Sequence, residues 1–239
     1  DKGREQKGYS SSALLMRSDL WDGGAKKIED LKGKRVGITQ TGSTFHYMLG
    51  RLLETKGLKL SDVQVVPLGK LSSVMAALQG KQVDAVILNE PNITKMEKAG
   101  HGKVVVQVGD AIDYQTSAIF FAPEFSKNRD AAVRFLAAYI KSCRYYYDAT
   151  LIKKDGKLAP GANYEEVVGI IAKYTGAPAA DIKLGLPYMD RDGKLLASDI
   201  QTQIDWYFNH KMIEKKIGAD QVVDGKLWEE ALQKVGAAK

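Results

Sequence analysis

Cysteine is nearly absent: the 239-residue chain carries one, Cys143. A single thiol forms no internal disulfide and no thiolate metal cluster. It sits in AAYIKSCRYYY, which reads as a helix, so a buried, inert thiol is expected there. Histidine is scarce too. His46, His101 and His210 lie far apart without ligand spacing, and no metal site is expected. No window holds the long uncharged apolar run that a membrane span needs. The opening residues, DKGREQKG, are charged and contain Gly, and do not read as a signal peptide. No basic run alternates with aromatics. The net charge is +6, but Lys is scattered among Asp and Glu, which reads as a solvated surface and not as a nucleic-acid footprint. Repeats of solenoid type and low-complexity segments are missing.

What is there is a soluble globule's composition, 44% hydrophobic and 27% charged, with length for one large domain or two small lobes. SSSALLMR (10–17) reads as a short strand, and LWDGGAKK as a connection broken by Gly23 and Gly24. Val36 to Thr39 is a brief apolar strand. Phe45, Met48, Leu49, Leu52 and Leu53 follow at helical spacing and predict an amphipathic helix that Gly57 stops. The unit then recurs. Strands are expected at Val63–Leu68, Val83–Leu88 and Lys103–Gly109, with helices around Val74–Leu78 and after Pro91. Strands alternating with helices over about Lys32 to Ile112 predict a mostly parallel sheet covered on both faces. TSAIFFA reads as one more strand, and from Arg129 onward the pattern is helical. Tyr145, Tyr146 and Tyr147 are consecutive, point to different helix faces, and read as packing; Trp206 and Phe208 read as core or amphipathic surface.

One polar turn stands out. In ITQTGSTFHYMLGRLL a Gly-containing stretch, Thr39 to Thr44, joins a strand to a helix. A helix N-terminus carries backbone N–H groups without intrahelical partners and a partial positive charge. Ser43 and Thr44 add hydroxyls, and Gly42 lets a ligand approach the backbone. Such a turn holds a carboxylate, sulfonate, phosphate or nitrate, or else Ser43 or Thr44 merely caps the helix. It lacks the Gly-Lys-Ser/Thr ending of a P-loop.

The stretch DLKGKRVGITQTGSTFHYMLGRLLETKGLKLSDVQVVPL, followed by ALQGKQVDAVILNEP, resembles the substrate-binding proteins of ABC importers. The nearest group is the nitrate/sulfonate/taurine and thiamine-pyrimidine-precursor (NMT1/THI5-like) type. The likeness runs from about Ser10 to Ala138, and the C-terminal helices fit more loosely. It implies a type II periplasmic-binding-protein fold, in which two α/β lobes joined by a hinge close over a small ligand. The lobes expected are 32–112, contiguous, and 1–31 with 113–239, which lacks a βαβ segment at its N-terminal side. The hinge strands are expected near Asp30 and from Asp113 to Thr116.

The resemblance makes Gly42, Ser43 and Thr44 the first expected ligand contacts, with Gln40 behind them. Asn89 and Glu90 come second; Glu90 either accepts a hydrogen bond from a ligand amine or caps the next helix. Tyr114, Gln115 and Thr116 either reach the ligand or pack the hinge. His46 reads as a surface or lobe-contact residue. The implied function is non-enzymatic: capture of a small anionic or aromatic/heterocyclic molecule and its delivery to a membrane permease, by a monomer in the periplasm or anchored outside the membrane. No cofactor or metal is implied. Two alternatives stand beside it, a pyrimidine-synthesising enzyme of the same fold and the effector-sensing domain of a transcription regulator. A Cys-rich motif would favour the first, and only Cys143 is present. An upstream helix-turn-helix would favour the second.

Overall fold

The computed structural model describes residues 4–9 and 11–236. The chain divides into two compact units. One comprises Glu5–Tyr114 and Trp206–Glu214; the other comprises Asp1–Arg4, Gln115–Asp205 and Lys215–Lys239.

In the first unit the strands are β1 (Arg4–Glu5, starting one residue before the boundary), β2 (Ser12–Arg17), β3 (Arg35–Ile38), β4 (Gln64–Pro67), β5 (Ala85–Asn89), β6 (Gly102–Gln107) and β7 (Tyr114–Gln115). The helices among them are α1 (Ser18–Asp22), α2 (Thr44–Glu54), α3 (Leu71–Gln79), α4 (Asn92–Lys98) and α5 (Val108–Ala111). Five strands form the main sheet in the order β4-β3-β5-β2-β6, while β1 and β7 pair with each other. β3 runs parallel to β4 and β5, and β2 runs antiparallel to β5 and β6. The sheet is therefore mixed, not mostly parallel as expected. Its two faces follow the period-2 geometry of strands. Leu14, Met16, Ala85 and Ile87 face one core, with α2, Tyr114 and Trp206. Ala13, Leu15, Val86 and Leu88 face the other, with α3 and α4. Both faces of β2 are buried, which is why SALLM reads as an unbroken apolar run.

Domain boundaries differ from the expected ones. Residues 1–31 were expected to join 113–239, but β2 lies inside the sheet of the contiguous unit, between β5 and β6. The chain passes between units at Arg4/Glu5 and Tyr114/Gln115, in the paired strands β1 and β7, and again at Asp205/Trp206 and Glu214/Lys215, and not near Asp30. The second expected crossing, Asp113 to Thr116, coincides with β7. Residues 1–3 and Ser10, the first residue of the expected strand, lie outside the described residues.

The second unit is helical. It holds α6 (Pro123–Ser126), α7 (Arg129–Thr150), the small hairpin β8 (Lys153–Lys154) and β9 (Lys157–Leu158), α8 (Tyr164–Thr175), α9 (Ala179–Ile182), most of α10 (Ala197–Asn209) and α11 (Gly225–Val235). Its core is built by α7 and α11 through Ala137, Ile140 and Ala231, with Leu136 and Trp228 beside them. Gln115 ties this unit together. Its Nε2 donates to the Ser117 carbonyl at 2.7 Å and its Oε1 accepts from the Leu196 N–H at 2.9 Å. TSAIFFA is not the strand expected of it: Ser117–Ala122 has no regular structure, because no described strand of this unit runs alongside it, and Phe120 is 91% exposed.

Candidate functional site

The site is assembled at one edge of the five-stranded sheet. β3 and β5 run parallel as neighbours, so the chain leaves both at the same edge, through Thr39–Gln40 and Asn89–Glu90. β4 ends there as well, and the Gly69 N–H donates to the Thr39 carbonyl at 2.7 Å. β2 begins there, with Ser12 opposite Asn89. Ligands of open α/β sheets sit outside such carboxyl ends.

The polar turn is tightly specified. The Ser43 N–H donates to the Gln40 carbonyl at 3.1 Å, and Gly42 takes φ +75, a conformation only glycine holds without strain. Ser43 is extended (φ −71, ψ 166) and is the N-cap of α2: its Oγ accepts from the His46 N–H at 3.3 Å. The Tyr47 N–H returns to the Ser43 carbonyl at 3.0 Å. The helix supplies no acceptor for its first two amides, those of Thr44 and Phe45, and its dipole adds positive potential at the same end. An added Cβ at Gly42 would meet nothing within 4 Å, so the approach to the turn is open.

Carboxylates at this edge are engaged internally. Glu90 caps α4: its two oxygens accept from the Thr94 N–H at 3.1 Å and the Thr94 hydroxyl at 2.9 Å. Of the two roles open to it in the sequence, the structure displays the cap. Asn89 Oδ1 accepts from Asn92 Nδ2 at 3.5 Å. Glu5, fully buried, accepts from the Ser11 N–H at 2.9 Å, the Ser12 N–H at 3.4 Å and the Ser11 hydroxyl at 3.3 Å. Lys70, exposed, follows Gly69 and brings a cation to the strand ends.

Of the sequence-predicted residues, Gln40, Gly42, Ser43, Thr44, Asn89 and Glu90 come together at this edge. Tyr114 is buried in the core of the sheet unit, its ring 4.9 Å from that of Tyr47. Gln115 and Thr116 belong to the helical unit, where the Gln115 N–H donates to Asp199 Oδ2 at 2.8 Å.

His46 was expected at a surface or lobe contact, yet it is buried, and its Nδ1 accepts from the Gly42 N–H at 3.0 Å. No sequence signal beyond its position three residues after Ser43 pointed to this. Glu5 and Lys70 were likewise missed; each becomes relevant only once the sheet order is known.

Cys143 lies in the helical unit, buried beside Tyr139, and burial pushes its thiol up to about 11 despite a hydrogen bond with Tyr139. It stays protonated at neutral pH and does not supply a thiolate nucleophile. Among the described residues no group of three or more His, Cys, Asp or Glu is placed to hold a metal ion, and no helix is long and apolar enough to cross a membrane.

Comparison with known proteins places this geometry in a family. The family model described as "NMT1/THI5 like" matches residues 13–149. A Brucella abortus (strain 2308) protein named "Putative binding protein" is 28% identical over 179 residues, 74% of this chain and 50% of its own length. A Bacillus subtilis (strain 168) protein named "Putative aliphatic sulfonates-binding protein" is 24% identical, over 97% of this chain and 65% of its own. The chain thus spans about half to two thirds of the length of these relatives. Among solved structures, the periplasmic aliphatic sulphonate binding protein SsuA from Escherichia coli superimposes with a TM-score of 0.66 at 21% identity, covering 92% of this chain and 70% of that one. The desulfurization enzyme DSZB shares the fold as well, with a TM-score of 0.57 at 13% identity, over 98% of this chain and 80% of that one. The likeness to these structures is one of fold: the α/β architecture is that of the periplasmic binding proteins.

Proposed function

The chain belongs to the NMT1/THI5-like family, and from that membership we propose that it is the solute-capturing part of an ABC importer, binding a small oxyanion-bearing molecule and handing it to a membrane permease. The observation that carries the reading is the turn at Gly42–Thr44. It presents the Thr44 and Phe45 amides, without acceptors among the described residues, at the carboxyl edge of the sheet. The ligand class follows from these donors: two amides and a helix dipole favour a sulfonate, nitrate or carboxylate over a neutral ring. An aromatic or heterocyclic body is compatible with an anionic head group. Gln40, Ser43 and Asn89 supply polar contacts around it. Glu90 and Glu5, whose carboxylates are turned onto Thr94 and the Ser11–Ser12 backbone, leave the amides free of a competing internal anion. The protein works as a monomer outside the cytoplasmic membrane, and its mechanism is capture: lobe closure removes the ligand from water. The names of the sulfonate-binding relatives support the same ligand class.

An enzymatic reading has one point in its favour, the shared fold of a desulfurization enzyme. The protonated thiol of Cys143, remote in sequence from the turn, weighs against it.

The test is a thermal-shift panel on the protein with alkanesulfonates, nitrate, aromatic carboxylates and pyrimidines. A ligand present at a hundredfold over its dissociation constant adds about 2.7 kcal/mol of stability. A shift of that size with an anion, and no product formed on prolonged incubation, supports capture. No shift across the panel, or turnover of any member, contradicts it.

A further inference from the structure

The Gly42 N–H is a turn amide held by a side chain, bonded to His46 Nδ1 at 3.0 Å. A backbone N–H only donates, so Nδ1 must carry its lone pair; the ring is neutral, with its proton on Nε2. His46 is on the first turn of α2, and its own N–H is held by Ser43 Oγ at 3.3 Å. One residue thus grips the turn twice, through its backbone to the N-cap and through its ring to the residue before it. The ring has little freedom to do otherwise. It is only 6% exposed and meets Trp206 edge-on at 5.9 Å.

From this we infer that His46 is the positioning residue of the binding turn: as a neutral imidazole it pins Gly42 and so fixes the direction in which the Thr44 and Phe45 amides point. The inference rests on the proposed binding role of the turn, but the pin itself is a property of the free protein. Protonation removes the lone pair and sets two N–H groups against each other, so acid releases the turn. The surroundings oppose that protonation. Burial, aided by the charge of His210, holds the His46 pKa below its usual value, and the positive end of α2 acts in the same sense. From α10 and its end, Trp206 and His210 face the ring, the latter stacked on Trp206 at 4.0 Å. On α2, Arg51 and Glu54 pair with each other at 3.0 Å, and Glu54 accepts from Trp206 Nε1 at 2.8 Å, so no free carboxylate is supplied from that side to hold an imidazolium.

Two measurements test this. The first needs no ligand: the Gly42 amide is followed by proton–nitrogen NMR from pH 7.5 to 4.5 in the wild type, in His46→Asn, whose side-chain oxygen replaces the Nδ1 acceptor without titrating, and in His46→Leu, which has no acceptor. The wild-type amide is expected to lose its hydrogen-bonded shift and exchange protection as pH falls through a His46 pKa that lies below the ordinary histidine value, with His46→Asn protected throughout and His46→Leu unprotected throughout. A Gly42 amide indifferent to all three changes overturns the proposal. The second is titration calorimetry with ethanesulfonate as the probe. His46→Leu is expected to bind about tenfold more weakly at pH 7.5, as for one lost hydrogen bond, with affinity restored in His46→Asn and independent of pH. Equal affinity in all three proteins, or tighter binding by the wild type in acid, overturns a positioning role. Absence of ethanesulfonate binding in every protein, with the NMR result intact, counts against the ligand class and not against the pin.

Discussion

Two residues hold the sheet unit together by means that neither composition nor periodicity reveals. Gly50 sits inside α2, where glycine costs about 1 kcal/mol relative to alanine. Its reason is Trp206: a Cβ there would lie 2.3 Å from the indole Cζ2. Gly50→Ala is expected to displace the indole, weaken its hydrogen bond to Glu54, and lower unfolding free energy by about 1–3 kcal/mol in a denaturant titration. Asp84, just before β5, ties together the ends of three strands. It accepts from Arg17 at 3.0 Å and from Arg35 at 3.0 Å, and takes the Arg35 backbone N–H at 2.9 Å. Burial works to raise its pKa, but the Arg35 hydrogen bonds and the charges of Arg35 and Arg17 outweigh it, and the net direction is downward from 3.8. The unfolded chain therefore binds the proton more readily than the folded one. The stabilisation is present above about pH 4 and is lost as pH falls through the lowered folded value. Asp84→Ala takes from the largely buried Arg17 one of its two carboxylates, leaving it Asp19 at 2.6 Å, and leaves Arg35 without its ion pair. It is expected to cost about 2 kcal/mol at pH 7, less than a fully buried pair because Arg35 is 41% exposed. The variant's stability should also fall less than the wild type's between pH 4 and 2.

At the scale of elements, sequence and structure agree where one face of an element is apolar. Phe45, Met48, Leu49, Leu52 and Leu53 mark α2 in the sequence, and all of them are buried. Leu52→Ala is expected to cost 2–5 kcal/mol by chemical denaturation, whereas Ser43→Ala should cost only about 1 kcal/mol, the worth of an N-cap. Agreement fails where pattern carries no information about neighbours. SALLM is apolar on both faces, so nothing in it says that β2 runs antiparallel between β5 and β6. TSAIFFA has the composition of a strand, but a strand exists only beside a partner, and the described residues give it none. The turn itself was legible because a Gly with positive φ, a Ser cap and a following amphipathic stripe are local signals. His46 as its acceptor was not, since a histidine on a first helical turn has no fixed direction until Trp206, 160 residues away in sequence, packs against it.

Across the whole molecule, the division into two units places the Gly42–Thr44 turn on one unit and Gln115–Thr116 on the other. The sequence pointed to the turn through its amides, its hydroxyls and the family resemblance, and to Gln115 and Thr116 through their place at the expected crossover; the Thr44 and Phe45 amides have no acceptor among the described residues. The central claim is that these amides bind an anion, and one substitution isolates them. Thr44 is the first residue of α2, a position where proline is well tolerated, and the residue before it is already extended, as proline requires. Thr44→Pro thus deletes one amide donor while leaving the helix intact. The measurement to make is calorimetric titration of wild type and Thr44→Pro with the anion that most stabilises the protein, alongside thermal unfolding of both without ligand. Unchanged unfolding with affinity reduced about tenfold is the expected result. Equal affinity in the two proteins would contradict the claim and leave the turn as a helix cap.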